Sequence, residues 1–137
     1  MTDVAGNFAD AKENARFPSR EENAEGYFLS RAVMQWFAGH YLGDARHGTT
    51  DWRVSPLRAK SLAGLAPAIV CTAWFDPLRD EGKAYADALQ AAGVETRYYP
   101  GAGLIHGYFG LGEASETARF EAQRARADFK ALLDRGA

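Results

Sequence analysis

Apolar positions along this chain recur in short periodic stretches separated by glycine- and proline-bearing breaks. Between residues 30 and 42, Val33, Trp36, Phe37, His40 and Tyr41 share one helical face, which predicts an amphipathic helix. Ser30 is placed to cap its start by accepting from a first-turn N–H, and Gly43 to end it. Residues 68–75, Ala-Ile-Val-Cys-Thr-Ala-Trp-Phe, form a nearly continuous apolar run behind Pro67. That pattern predicts a strand buried on both faces. Residues 80–92 follow as a helix with Ala84, Ala88, Leu89 and Ala92 on one face and a stop at Gly93. Such small side chains let a helix lie close against a sheet. Residues 94–99 predict a second strand ended by Pro100 and Gly101, and 101–112 a glycine-rich loop. Ser115 then caps a last helix running to about residue 134, with Ala118, Ala122, Ala125, Phe129 and Leu132 as its buried stripe. Residues 46–58 read as loop. The first 25 residues are polar and read as loop and short helix, with the mobility common at chain ends.

From residue 67 the order is strand, helix, strand, helix. This is the α/β class: a parallel βαβ unit with a right-handed crossover and a covering helix, preceded by a helical segment. Residues 1–55 are expected to form that segment and a linker, and 56–137 the sheet-bearing core. At 137 residues and 47% hydrophobic content there is enough for one buried core. A net charge of −2 removes the electrostatic reason to expect nucleic acid. No apolar run approaches the ~20 residues of a membrane span. The N-terminus lacks the basic and apolar regions of a signal peptide. Cys71 is the only cysteine, so no internal disulfide forms; it is expected to be buried and inert, in keeping with a cytoplasmic protein.

Chemistry concentrates after the two strands. Asp76 stands at the C-terminal end of the first, where open α/β sheets place ligands, and His106 lies in the loop after the second. A carboxylate there can fix a histidine tautomer and stabilise the imidazolium formed in acyl transfer. Asp76 can equally be a turn residue before Pro77, and His106 a turn histidine satisfying backbone groups. Their spacing favours the acid–base reading. Asp80 and Glu81 suit the positive end of the following helix. Asp76 with Asp80, His40 and His47 lack the clustering of a metal site. The glycines at 101, 103 and 107 have the wrong spacing for a dinucleotide fingerprint. Tyr27, Phe28, Trp36, Phe37 and Tyr41 are either ordinary helix packing or a lid over an apolar pocket. No Gly-x-Ser-x-Gly and no His-Gly-Gly-Gly segment occurs.

Together these residues resemble the hormone-sensitive-lipase-like family of α/β-hydrolases, mostly bacterial carboxylesterases. Asn23-Ala24-Glu25-Gly26-Tyr27-Phe28-Leu29 is similar to its cap-region segment, and Ser55-Pro56-Leu57 to the loop before the next strand. Phe75 through Gly82 resembles the acid motif, whose first aspartate is catalytic, and Ile105-His106-Gly107 the histidine motif, with Tyr108 where phenylalanine is common. The resemblance implies the C-terminal portion of an α/β-hydrolase fold behind a helical cap. It implies Asp76 and His106 as catalytic residues and Tyr27, Phe28, Ile105 and Tyr108 as neighbours of a small acyl ester, with no metal or organic cofactor. It also implies that the oxyanion glycines and the serine elbow precede the point that Met1-Thr2-Asp3 resembles, just after the sixth strand. Ser19, Ser30, Ser55, Ser61 and Ser115 lack the elbow context. The expectation is therefore an ester hydrolase lacking its nucleophile, with an open strand edge that invites self-association or an N-terminal complementary fragment. The alternative is an inactive binding or assembly module using that edge and the aromatic helix.

Overall fold

The computed structural model describes residues 16–43 and 51–135. Expectations for Met1, Thr2, Asp3, Arg46, His47 and Gly48 lie outside those residues. The element order is α1 (Ser19–Glu22), α2 (Arg31–Leu42), β1 (Ala68–Cys71), α3 (Arg79–Ala91), β2 (Thr96–Tyr99) and α4 (Glu116–Asp134), with 3-10 turns at Pro56–Arg58 and Tyr108–Gly110. β1 and β2 pair in parallel, with Ala68 opposite Thr96 and Cys71 opposite Tyr99. Parallel neighbours need a crossover, and α3 supplies it.

The caps work as their sequence suggests. Ser30 accepts from Val33 N–H at 3.3 Å to start α2, and Ser115 accepts from Ala118 N–H at 3.2 Å to start α4. Each satisfies one otherwise orphaned donor, worth roughly 1 kcal/mol. Ala118, Ala122 and Ala125 of α4 are buried, while Phe129 at 55% and Leu133 at 58% are exposed. The α4 stripe is thus covered over its first half only, contrary to the expectation for Phe129. Because Tyr99 donates to Asp128 and Arg97 pairs with the same carboxylate at 2.5 Å, α4 is nonetheless fixed to β2 midway along its length.

Several sequence expectations need correction. β1 is half-buried along its length rather than sealed on both faces, because β2 is its single strand neighbour among the described residues. Cys71 is therefore half-buried, not enclosed. α3 buries Glu81, Ala86 and Leu89; Ala84, Ala88 and Ala92 are only half-covered. The aromatic face of α2 points outward: Val33, Trp36, Phe37 and Tyr41 are exposed, and Met34 is the buried residue, packed with Leu29 and Leu78. Periodicity identifies the helix; of the two alternatives for its aromatic face, close packing does not hold, and Phe37 and Tyr41 border a cavity instead.

The largest correction concerns the polar N-terminal stretch. Phe17, Ser19, Arg20 and Asn23 are all buried. Ser19 N–H donates to Asp80 Oδ2 at 2.7 Å, and Ser19 Oγ donates to Pro77 O at 2.9 Å. Arg20 Nε donates to Glu81 Oε2 at 2.9 Å, with both side chains out of solvent. α1 is therefore held on the first turn of α3 by polar bonds, which apolar periodicity cannot reveal.

Between the strands and the following loops, Gly101 makes the closest backbone approach. Its φ is +54°, and a Cβ there would collide with the carbonyl oxygen of Thr72. Gly101 O accepts from both Trp74 N–H and Leu104 N–H at 3.1 Å. Gly101→Ala is expected to destabilise the protein by at least about 1–3 kcal/mol through strain at this backbone conformation, read as a lower midpoint in urea unfolding.

Asp80 generates a pH prediction. Burial disfavours its charged form, yet hydrogen bonds from Arg79 and from Ser19 outweigh that and hold its carboxyl below the ordinary 3.8. A depressed native value stabilises the fold above the unfolded pKa, and that contribution is lost as pH falls through the native one. The urea midpoint is expected to fall as pH drops below about 4. Asp80→Asn is expected to flatten that part of the profile.

Candidate functional site

The site is built by strand register. After β1 and β2 end, the two segments stay hydrogen-bonded through Trp74 N–H to Gly101 O. The chain then turns at residues 102–103, and the pair resumes at a parallel bridge between Phe75 and Ile105, where Phe75 N–H donates to Leu104 O at 2.9 Å. Residues opposite each other in a parallel pair project to the same face, and so do their immediate successors. Asp76 follows Phe75 and His106 follows Ile105. The bridge therefore sets the carboxylate beside the imidazole, with Asp76 Oδ2 2.8 Å from His106 Nδ1.

Asp76 is almost fully buried, while the His106 side chain is 41% exposed. Asp76 Oδ1 accepts from Leu78 N–H at 2.8 Å, and its backbone carbonyl accepts from Arg79 N–H at 3.1 Å. A carboxylate only accepts, so Nδ1 is the donor in the shared bond and carries the proton. Nε2 is then left with its lone pair available, the tautomer a general base requires. Behind the histidine, Gly107 takes φ +75° and starts the 3-10 turn that places Tyr108 in the interior.

Two cavities meet at the imidazole. One, of about 370 Å³, runs beside β1 and is bordered by Cys71, Ala73, Asp76, Tyr85, His106 and Tyr108. Burial pushes the Cys71 thiol up, and the same cause pushes the Tyr108 hydroxyl beside it well up. Both stay protonated near neutrality, so Cys71 does not present a thiolate. The second cavity, of about 480 Å³, lies under α2 and is bordered by Leu29, Met34, Phe37, Val54, Leu78 and His106, with Arg53 also on its wall. Arg53 is held by Asp51 at 2.6 Å, so that guanidinium is already paired.

Of the residues expected near an ester, Tyr108 lines the first cavity. Tyr27 instead stacks on Phe75, with ring centroids 4.6 Å apart. Phe28 is 76% exposed, its ring edge near Gly107. Ile105 contributes its backbone to the bridge. The sequence reading did not single out Leu29, Met34, Val54 or Leu78, which wall the second cavity. They are scattered through three loops and a helix, and only the fold makes them neighbours. Trp36 packs on His40 at 4.3 Å. Among the described residues, no three His, Cys, Asp or Glu side chains gather as metal ligands, and no helix is long and apolar enough to cross a membrane.

Comparison with known proteins points the same way as the geometry. Residues 5–110 match the family model described as alpha/beta hydrolase fold. The carboxylic ester hydrolase LipN of Mycobacterium tuberculosis is 49% identical over 88 residues, which are 63% of this chain and 23% of LipN. An arylesterase of Saccharolobus solfataricus is 48% identical over 87 residues, 63% of this chain and 28% of that enzyme. Among solved structures, a serine-to-alanine mutant of an alpha/beta hydrolase from the metagenome of Lake Arreo, Spain, superposes with a TM-score of 0.71 at 43% identity, covering 88% of this chain and 37% of its own. The carboxylesterase EstE1, cloned from a metagenomic library, gives 0.73 at 33% identity, covering 84% and 39%. This chain thus spans about a quarter of these two curated relatives. With a parallel strand pair, a buried carboxylate and an imidazole in the positions described, the chain belongs to the alpha/beta-hydrolase fold family, in its hormone-sensitive-lipase-like branch.

Proposed function

We propose that this chain provides the acid–base part of a serine-type carboxylic ester hydrolase, with Asp76 orienting His106 and the serine coming from outside these 137 residues. The observation that carries this reading is the 2.8 Å bond between buried Asp76 and half-exposed His106. Four of the serines are engaged elsewhere: Ser19 Oγ bonds Pro77 O, Ser30 and Ser115 cap helices, and Ser61 Oγ accepts from Ala63 N–H; Ser55 Oγ is buried without a hydrogen-bond partner and out of reach of an entering ester.

In this mechanism a serine Oγ attacks the ester carbonyl while His106 Nε2 takes its proton. The imidazolium, stabilised by Asp76, returns that proton to the departing alcohol and leaves an acyl-enzyme. Water then repeats the cycle, losing its proton to Nε2 and releasing the acid. The apolar cavity under α2 would receive the hydrocarbon part of a small ester beside the base. Neither step calls on a metal or an organic cofactor.

The test is a chimera in which this chain replaces the matching segment of the carboxylesterase EstE1. It is expected to hydrolyse p-nitrophenyl butyrate, and His106→Ala is expected to lower kcat by about 10²–10⁴-fold. A chimera whose turnover survives His106→Ala unchanged would sink the assignment.

A second reading, a non-catalytic module that pairs with another chain, is favoured by the half-buried single-neighbour β1 and by the exposed Trp36, Phe37 and Tyr41 of α2. Unpaired strand edges beside apolar side chains template further pairing. The isolated chain is expected to associate in light scattering coupled to size exclusion; a monodisperse monomer at high concentration would argue against it.

A further inference from the structure

The N-terminal polar segment does more than fill space behind the acid. Asn23 closes α1 and is buried, 3% exposed. Its Nδ2 donates to the backbone carbonyl of Asp76 at 3.2 Å and lies 3.4 Å from that of Trp74, more than 50 residues away in sequence. These two carbonyls flank Phe75, the residue whose bridge to Ile105 sets the register of the acid and the histidine. The ring of Tyr27, four residues beyond Asn23, stacks on Phe75 from the same segment. α1 itself is anchored by the buried Arg20–Glu81 pair and by Ser19 on Pro77 and Asp80. The amide is therefore carried on a fixed support and reaches both carbonyls of the acid turn.

We propose that Asn23 is a positioning residue for the acid–base pair. By donating to both carbonyls it holds the Trp74-Phe75-Asp76 turn at the height where Oδ2 meets Nδ1. The inference rests on the assignment of Asp76 and His106 as the working pair. It adds that their alignment is set from α1 and not by the sheet alone. The Asp76 carboxylate is otherwise steadied by a single local bond, from Leu78 N–H. A turn released from Asn23 keeps that bond and the two that Arg79 gives the same carbonyls, Nη1 to Trp74 O at 3.2 Å and N–H to Asp76 O at 3.1 Å, but loses the donor supplied from α1. The Oδ2–Nδ1 contact then lengthens for part of the time, and the Nδ1 proton becomes open to water.

The readout is the His106 Nδ1 proton of the full chain, observed by NMR in selectively labelled protein, with its exchange rate against water. In the unaltered chain a downfield, slowly exchanging signal is expected. Asn23→Ala is expected to speed exchange by about tenfold, the scale of one net hydrogen bond. Asn23→Leu, which is close in shape, uncharged and without the amide donor, is expected to do the same and serves where the alanine variant loses its fold. Ser30→Ala, which removes a helix cap elsewhere, controls for general destabilisation and is expected to leave the signal unchanged. If the unaltered chain shows no protected Nδ1 proton, the acid–base assignment itself fails. If the signal is present and exchanges at the same rate in a folded Asn23 variant, that assignment stands and the positioning role of Asn23 is overturned. A matching acceleration in Ser30→Ala would also overturn it, since simple loosening would then explain the effect.

Discussion

The parallel bridge between Phe75 and Ile105 is the constraint on which the rest of this structure depends. A short sheet alone would leave Asp76 and His106 on separate loops. One extra backbone contact, made beyond the ends of the strands, turns two loops into a matched pair of platforms. The cost of ordering both loops is offset by bonds that cluster at this point: Gly101 O takes two N–H donors, and Phe75 N–H reaches Leu104 O. The chemistry then follows from burial, since one partner is enclosed and the other half-open. The enclosed carboxylate keeps a fixed orientation, and the open imidazole remains accessible to whatever enters the two cavities.

Two kinds of glue hold this arrangement, and they act in different places. Apolar packing joins Ala73, Leu104, Tyr108 and Ala118 beneath the histidine loop. Polar bonds dominate behind the acid, where Arg20 meets Glu81 out of solvent. Losing one member of such a buried pair strands a charge and costs about 3–5 kcal/mol. That side of the site is therefore specified by hydrogen-bond geometry more than by hydrophobic contact.

Sequence made the elements and the chemistry legible, and it made the supports much less so. Ser30, Ser115, Gly43 and Gly93 marked helix ends within a residue of where they fall, because capping is a local rule. Asp76 and His106 stood out because each follows a recognisable strand. The inward side of α2 was not legible: Met34 is buried while Trp36 and Tyr41 are exposed. Helical spacing reports which residues share a face; the neighbour available decides whether that face is covered. The short helix near the N-terminus was expected, but its burial was not legible for another reason. Its partners are charged and hydrogen-bonded, so no apolar period marks Ser19, Arg20 and Asn23, which meet Asp80, Glu81 and Asp76 only in the fold.

The turn at Gly101 also limits how this region can change in length. Ala68 faces Thr96, an offset of 28 residues, while Phe75 faces Ile105, an offset of 30. The surplus is even, so side-chain alternation survives the detour. Removing or adding a single residue there would put a neighbour of Ile105 opposite Phe75 and turn the imidazole toward the other side of the sheet. Insertions and deletions at this corner are compatible with the acid–histidine contact only when they preserve parity, so the corner tolerates changes of length in steps of two.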